Sequence, residues 1–209
     1  MMPDIPDPAE TWKFDAGEAW LYPADGANLV DPFIIAAGCI HNRPTDLDVL
    51  LEDVANEEYS LLAGLHAAGY DVILVGYDNG AANLETNSSV ITETITLANF
   101  VRSSEYPLTV GGLGRGALLA RYALAKSETE RVDTRTGFYV SWNGTPHRAE
   151  EAALMERVGW WPQIPVKIKA RSQAEVDWFP SGEFDHERID DRDKVMTQNL
   201  GTWIINTIS

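Results

Sequence analysis

The stretch that decides the fold is Tyr106-Pro107-Leu108-Thr109-Val110-Gly111-Gly112-Leu113-Gly114-Arg115-Gly116-Ala117-Leu118-Leu119-Ala120-Arg121-Tyr122-Ala123-Leu124. It opens with a short apolar run, Leu108–Val110, that ends at Gly111 and reads as a strand. It closes with an alanine- and leucine-rich segment, Ala117–Ala125, whose residues are strong helix formers. Between them Gly112, Gly114 and Gly116 alternate, as expected where backbone must turn sharply from strand to helix with no room for side chains.

The same strand-then-helix grammar extends in both directions. Upstream, Pro32–Gly38 is a continuous apolar run closed by glycine, the pattern of a strand buried on both faces, and Asp71–Val75 and Phe138–Trp142 repeat it. Val166–Ala170 alternates with Lys167 and Lys169, which predicts a strand nearer a solvent-facing edge. Thr11–Phe14 and Glu18–Tyr22 flank the turn signal Asp15-Ala16-Gly17 and predict a hairpin. Helical spacing recurs at Leu50, Leu51, Val54, Leu61, Leu62 and Leu65, with Gly69 in capping position, then over Val90–Val101, Ala117–Ala125 and Val195–Ile208. Strands that alternate with crossover helices require a mainly parallel sheet with helices on both faces. Residues 1–10, with Pro3, Pro6 and Pro8, read as a loose tail before one domain over 11–209.

Composition narrows the function classes. A chain of 209 residues, 44% hydrophobic and 23% charged, suits a single globular domain. The formal charge of −16 argues against a nucleic-acid partner, because a phosphate backbone repels an acidic surface and no stripe of Lys and Arg offsets it. The single cysteine, Cys39, leaves no internal disulfide and no Cys-based zinc site. The scattered histidines and carboxylates match no zinc or calcium spacing, so no metal or other cofactor is expected. The N-terminus shows no secretory pattern and no apolar run approaches the ~20 residues that span a bilayer, which together point to the cytoplasm.

A glycine-rich turn alone would also suit a dinucleotide fold. That reading needs the turn after the first strand and an acid about twenty residues on, whereas here it follows the third major strand. With Gly112 and Gly116 flanking a central residue, and with Leu118–Tyr122 in the helix that follows, the segment resembles the nucleophile elbow of the α/β-hydrolase superfamily, notably its bacterial lipase- and esterase-like members. Ala67–Val75 resembles the helix end and strand that precede the elbow, and Gly38 the glycine that begins the oxyanion loop, so the likeness covers most of residues 32–147. It implies a compact single-domain α/β-hydrolase fold with little or no lid. Gly114 then stands where the serine belongs, and Arg115 also departs from the family pattern. Arginine in the first turn of a helix opposes the macrodipole, a cost of ~0.3–1 kcal/mol that calls for a compensating anion or a nearby acidic side chain.

The resemblance also implies where the remaining site residues should be. His186 sits after the last predicted strand and before the final helix, the place of the family's base, with Asp177 as its acid and Glu175 as the reserve. Cys39 and Ile40 follow Gly38 in the loop that should offer one oxyanion amide opposite that of Arg115. Cys39 is also the one alternative nucleophile in that loop, and His41 is expected to flank the same pocket. His147, in Asn143-Gly144-Thr145-Pro146-His147, is expected to be structural or pocket lining, His66 to be a satisfied helix residue, and Trp160 and Trp161 to pack over the sheet edge. The expected partner is a small apolar or ester- or carbonyl-like molecule. Three functions fit: a binding protein that has given up turnover, an enzyme using His186 for non-covalent chemistry such as isomerisation, cyclisation, elimination or direct water attack, and an esterase with an unconventional nucleophile.

Overall fold

The computed structural model describes residues 6–25, 28–38, 40–56, 58–172, 184–190 and 196–209. Eight strands form one sheet: β1 (Glu10–Phe14), β2 (Gly17–Tyr22), β3 (Asp31–Ala36), β4 (Tyr70–Tyr77), β5 (Leu108–Leu113), β6 (Thr136–Trp142), β7 (Val166–Ser172) and β8 (His186–Asp190). Their order is β1-β2-β4-β3-β5-β6-β7-β8. The β1–β2 and β2–β4 pairs are antiparallel and every later pair is parallel. The helices are α1 (Leu47–Val54), α2 (Leu61–Ala67), α3 (Leu84–Val101), α4 (Arg115–Thr129), α5 (Ala152–Arg157) and α6 (Gln198–Ile208), with a 3-10 turn at Ala149–Glu151.

The order of strands dictates where the helices go. The connection from β3 to β4 steps one way across the sheet, and those from β4 to β5 and β5 to β6 step the other way. Right-handed crossovers therefore place α1 and α2 on one face and α3 and α4 on the opposite face. α6 packs on α2, and α3 packs on α4. Sandwiched between these layers, Val72, Ile73, Leu74 and Val75 of β4 are wholly buried on both faces, each contributing about 1.5–3 kcal/mol of apolar transfer.

Two expectations are corrected here. The apolar pattern from Leu50 to Leu65 is two helices, not one. Asn56 interrupts it: its Oδ1 accepts from Glu58 N and Tyr59 N, its Nδ2 donates to the Met196 carbonyl, and Ser60 Oγ then caps α2. The strand Val166–Ala170 is next to last in the sheet, near an edge as expected, but its lysines do not face solvent in the way the alternation implies, because β8 pairs outside it. Lys169 is consequently buried, with its ammonium 3.0 Å from Glu187 Oε1 and 4.4 Å from the centre of the Phe184 ring. Gly69, by contrast, has the left-handed φ of 88° expected just past the end of α2. Among the described residues no helix is long and apolar enough to cross a membrane.

The entry to the central strands depends on one buried carboxylate. Asp71, at 1% exposure, accepts hydrogen bonds from Ala24 N and Val30 N and so ties the β2–β3 connection to the start of β4. Hydrogen bonds to a charged acceptor contribute about 1.5–3 kcal/mol. Asp71→Ala is expected to lower stability in urea denaturation by at least about 2 kcal/mol, because both amides lose their acceptor.

Candidate functional site

The C-terminal ends of the parallel strands converge on the Gly112–Gly116 turn. β5 runs between β3 and β6, so its end is flanked by the loop leaving Ala36 on one side and by Trp142-Asn143 on the other. Close approach explains two of the glycines. A Cβ on Gly116 would lie 2.1 Å from the Ala36 carbonyl oxygen, and one on Gly112 would lie 2.5 Å from the Gly116 carbonyl carbon. Gly38 is held similarly, its Cβ position 2.7 Å from the Leu113 oxygen.

Gly114 differs. It has φ 51° and ψ −116°, outside the ordinary regions for L-residues, and caps α4 without a side chain. This is the strained strand-to-helix geometry that the glycine spacing predicts. A Cβ there would make only ordinary contacts, with the Asn143 oxygen at 3.8 Å and Thr145 Cγ2 at 4.0 Å, so a side chain would fit without a clash. Its backbone is fixed on both sides: Gly114 N donates to the Trp142 carbonyl at 2.9 Å, and Thr145 N donates to the Gly114 carbonyl at 3.2 Å. Asn143 also has a left-handed φ of 48°, which bends the chain around the turn.

Arg115 finds its compensating partner in Glu151 of the 3-10 turn. The guanidinium grips both carboxylate oxygens, with Nη1 2.9 Å from Oε2 and Nη2 on Oε1, and Arg148 N donates to Oε2 at 2.7 Å. The two side chains are only 4% and 6% exposed. Burial pushes the Glu151 carboxyl up, but the hydrogen bonds from Arg115 and Arg148 N and the two positive charges outweigh it and hold it below the ordinary glutamate value. The nearby-acid reading of Arg115 is thus the one observed, and its charge is spent on Glu151 rather than aimed at the oxyanion position. Sequence reading identified the need for a carboxylate but had no means of choosing Glu151.

In front of the turn lies a cleft of about 480 Å³, within the size range of small-molecule sites. Its floor includes Ala37, Leu113, Gly114 and Trp142, and its walls come from the loop after β3, the start of α1 and the Asn143–Thr145 segment. Ile40 lines it, 53% exposed, as do Arg115 and His41. Cys39 lies outside the described residues, as do Asp177 and Glu175.

His186 is not brought to this cleft. It opens β8 instead of following the last strand, pairs with Ile168, and is exposed. β8 is three strands from β5, about 14 Å at ~4.8 Å per strand. Its level in the sheet, through Ile168, Val140 and Gly111, is also three residues short of Gly114. The expected base therefore sits on the outermost described strand, below the level of the turn. The run His186-Glu187-Arg188-Ile189 looks like a charged loop, yet charge is what an edge strand tolerates. His66 Nε2 lies 3.0 Å from the Tyr22 carbonyl oxygen, as befits a satisfied helix residue. His147 stacks edge-on against Trp160 with ring centres 5.0 Å apart, while Trp161 packs on Tyr139 and Phe184 beneath the Arg121 guanidinium. None of these lines the cleft, and among the described residues no group of His, Cys, Asp and Glu side chains could hold a metal ion.

The sequence matches no protein-family model and no curated protein sequence. Solved structures do match in three dimensions. The carboxylesterase EstE1, cloned from a metagenomic library, superposes with a TM-score of 0.63 at 9% identity over 98% of this chain and 88% of its own. Est1E from Butyrivibrio proteoclasticus gives 0.61 at 9% identity over 95% of both chains. The Pyrobaculum calidifontis esterase gives 0.57 at 10% identity over 78% of this chain. This chain spans only 66% of that esterase and 63% of the esterase Est22. These likenesses show an α/β-hydrolase fold, the fold expected from the turn and its flanking strands.

Three substitutions test the site's construction. Gly116→Ala drives a Cβ into backbone and is expected to cost more than about 3 kcal/mol, whereas Gly114→Ala meets only ordinary contacts and pays positive-φ strain of about 1–3 kcal/mol; equal midpoints in urea would contradict the assigned packing. Glu151→Gln leaves Arg115 buried without its counter-charge, at about 3–5 kcal/mol. Because the folded carboxyl lies below its unfolded value near 4.3, the pair's contribution is present above that range and is lost as pH falls through the folded value. Wild-type protein is expected to show this acid-side loss in denaturation curves, and the Gln variant to lack that portion of it.

Proposed function

We propose that this protein binds a small molecule with an apolar body and a carbonyl or similar acceptor in the cleft before the Gly114 turn, without forming an acyl-enzyme. The observation that carries this reading is Gly114 itself. It holds φ 51° at the centre of the turn, borders the cleft, and has no side-chain atom to attack a carbonyl. Apolar floor and polar rim suit an amphipathic ligand of modest size. α4 begins at this turn, and although Ala117 N already donates to the Gly114 carbonyl at 3.2 Å, the N–H groups of Arg115 and Gly116 precede the first full helical turn, which favours an acceptor oxygen there. The cleft in front of Gly114 also supports a second reading, in which a water sits beside the turn and the site performs non-covalent proton-transfer chemistry on its ligand.

Serine-directed fluorophosphonate probes are expected to leave the wild-type protein unlabelled, as read by intact mass. Stoichiometric labelling, or ester hydrolysis abolished by Cys39→Ser, would replace this reading with an esterase using an unconventional nucleophile.

A further inference from the structure

Of the four histidines in the chain, His41 alone lines the cleft. Its position follows from its neighbours. The loop leaves β3 with Gly38 pressed against the elbow, the Gly38 Cβ position 3.7 Å from Arg115 N. From Asn42 onward the chain is pinned to the end of β4 and the turn after it. Asn79 Nδ2 donates to Asn42 Oδ1 at 2.7 Å and Gly80 N to the Arg43 carbonyl at 3.1 Å, while Thr45 exchanges two hydrogen bonds with Tyr77. Both residues that follow His41 are thus fixed by β4 and the turn after it. Arg43 N also closes a tight turn onto the His41 carbonyl at 2.8 Å. Backbone groups are consumed in holding the loop, and the exposed imidazole is left on the cleft wall.

Resting on the reading of the cleft as a small-molecule site, we infer that His41 is the ionisable ligand-binding residue of this cleft, donating a hydrogen bond to an acceptor oxygen of the bound molecule. Three residues of chain reach at most about 10 Å from Gly38, so one small molecule spans His41 and the Gly114 turn. The imidazole is the group type that changes charge between pH 5 and 8. The other charged groups around the cleft are Arg43, Asp46 and Asp53, with Arg115 already held by Glu151. Asp46 stands at the N-cap of α1 but its side chain does not cap the helix. A protonated imidazole makes a charge-assisted bond about twice as strong as the neutral form does, so affinity for an uncharged acceptor rises on the acid side.

The test uses butyrophenone, an aryl ketone with an apolar body and no titratable group, added to the full chain and followed by nuclear magnetic resonance. The expected result is that the amides of Gly114 and Thr145 and the ring of His41 shift together, and that affinity is about tenfold higher near about pH 5.5 than near about pH 8. His41→Gln should weaken binding at the lower pH and flatten the profile, and His186→Gln should match wild type. Gly114 and Thr145 shifting without His41, a flat wild-type profile, or a pH dependence that persists in His41→Gln would overturn the role of His41 while leaving the cleft reading intact. No shift at Gly114 or Thr145 would overturn the cleft reading, and the role of His41 with it.

Discussion

The contact on which the rest depends is backbone against backbone: the end of β3 lies on the first turn of α4 with no room for a methyl group between them. The Ala36 oxygen stands 2.1 Å from where a Gly116 Cβ would be and 2.7 Å from that of Gly112. That closeness forces the chain to leave β5 in a left-handed residue, places the N-terminus of α4 at the end of the central strand, and brings the loop from Gly38 over the same spot. The cleft is the space left where these segments meet. No side chain is needed to define it, because strand register and two glycines already do.

A buried ion pair then closes the far side. Removing Arg115 and Glu151 from water costs several kcal/mol per ion, and mutual attraction offsets this only with good geometry and extra hydrogen bonds. Both conditions hold: the contact is bidentate and Arg148 N adds a third bond. Such a pair is weak grounds for stability but strong grounds for specificity of arrangement. It joins the β6–β7 connection to the helix that starts at the turn, and with Thr145 N on the Gly114 carbonyl it holds the Asn143–Thr145 wall in place. It also removes the positive charge of Arg115 from the cleft, so the charged groups left along its lining, Arg43, Asp46 and Asp53, come from the loop after β3 and from α1.

The architecture was legible in the sequence because its signals are local and redundant. Apolar runs ending in glycine marked β3 and β5, the alanine-leucine segment marked α4, and the alternation of strand and helix required a parallel sheet. What was illegible came from distance. Nothing near Arg115 in the chain identifies Glu151, thirty-six residues on. The β8 run carries too much charge to register as a strand, since no described strand pairs with its outer side and its pattern is set by solvent; reading it as a loop put His186 at the turn instead of three strands away from it. The break after Val54 was equally hidden, because Asn56 acts by bonding Met196, one hundred and forty residues away.

The geometry of the turn is independent of the side chain it would present. In an elbow that carries a nucleophile, the strain at the central residue has to be supported by the surrounding packing; here the same surroundings support a glycine, for which φ 51° is nearly free of cost. Relief of that strain stabilises the fold by about 1–3 kcal/mol relative to any residue with a Cβ. A glycine here also leaves to the cleft the volume a side chain would fill beside the Asn143 oxygen and Thr145 Cγ2. Stability and ligand volume therefore change in the same direction at this one position, and neither requires any neighbouring segment to move.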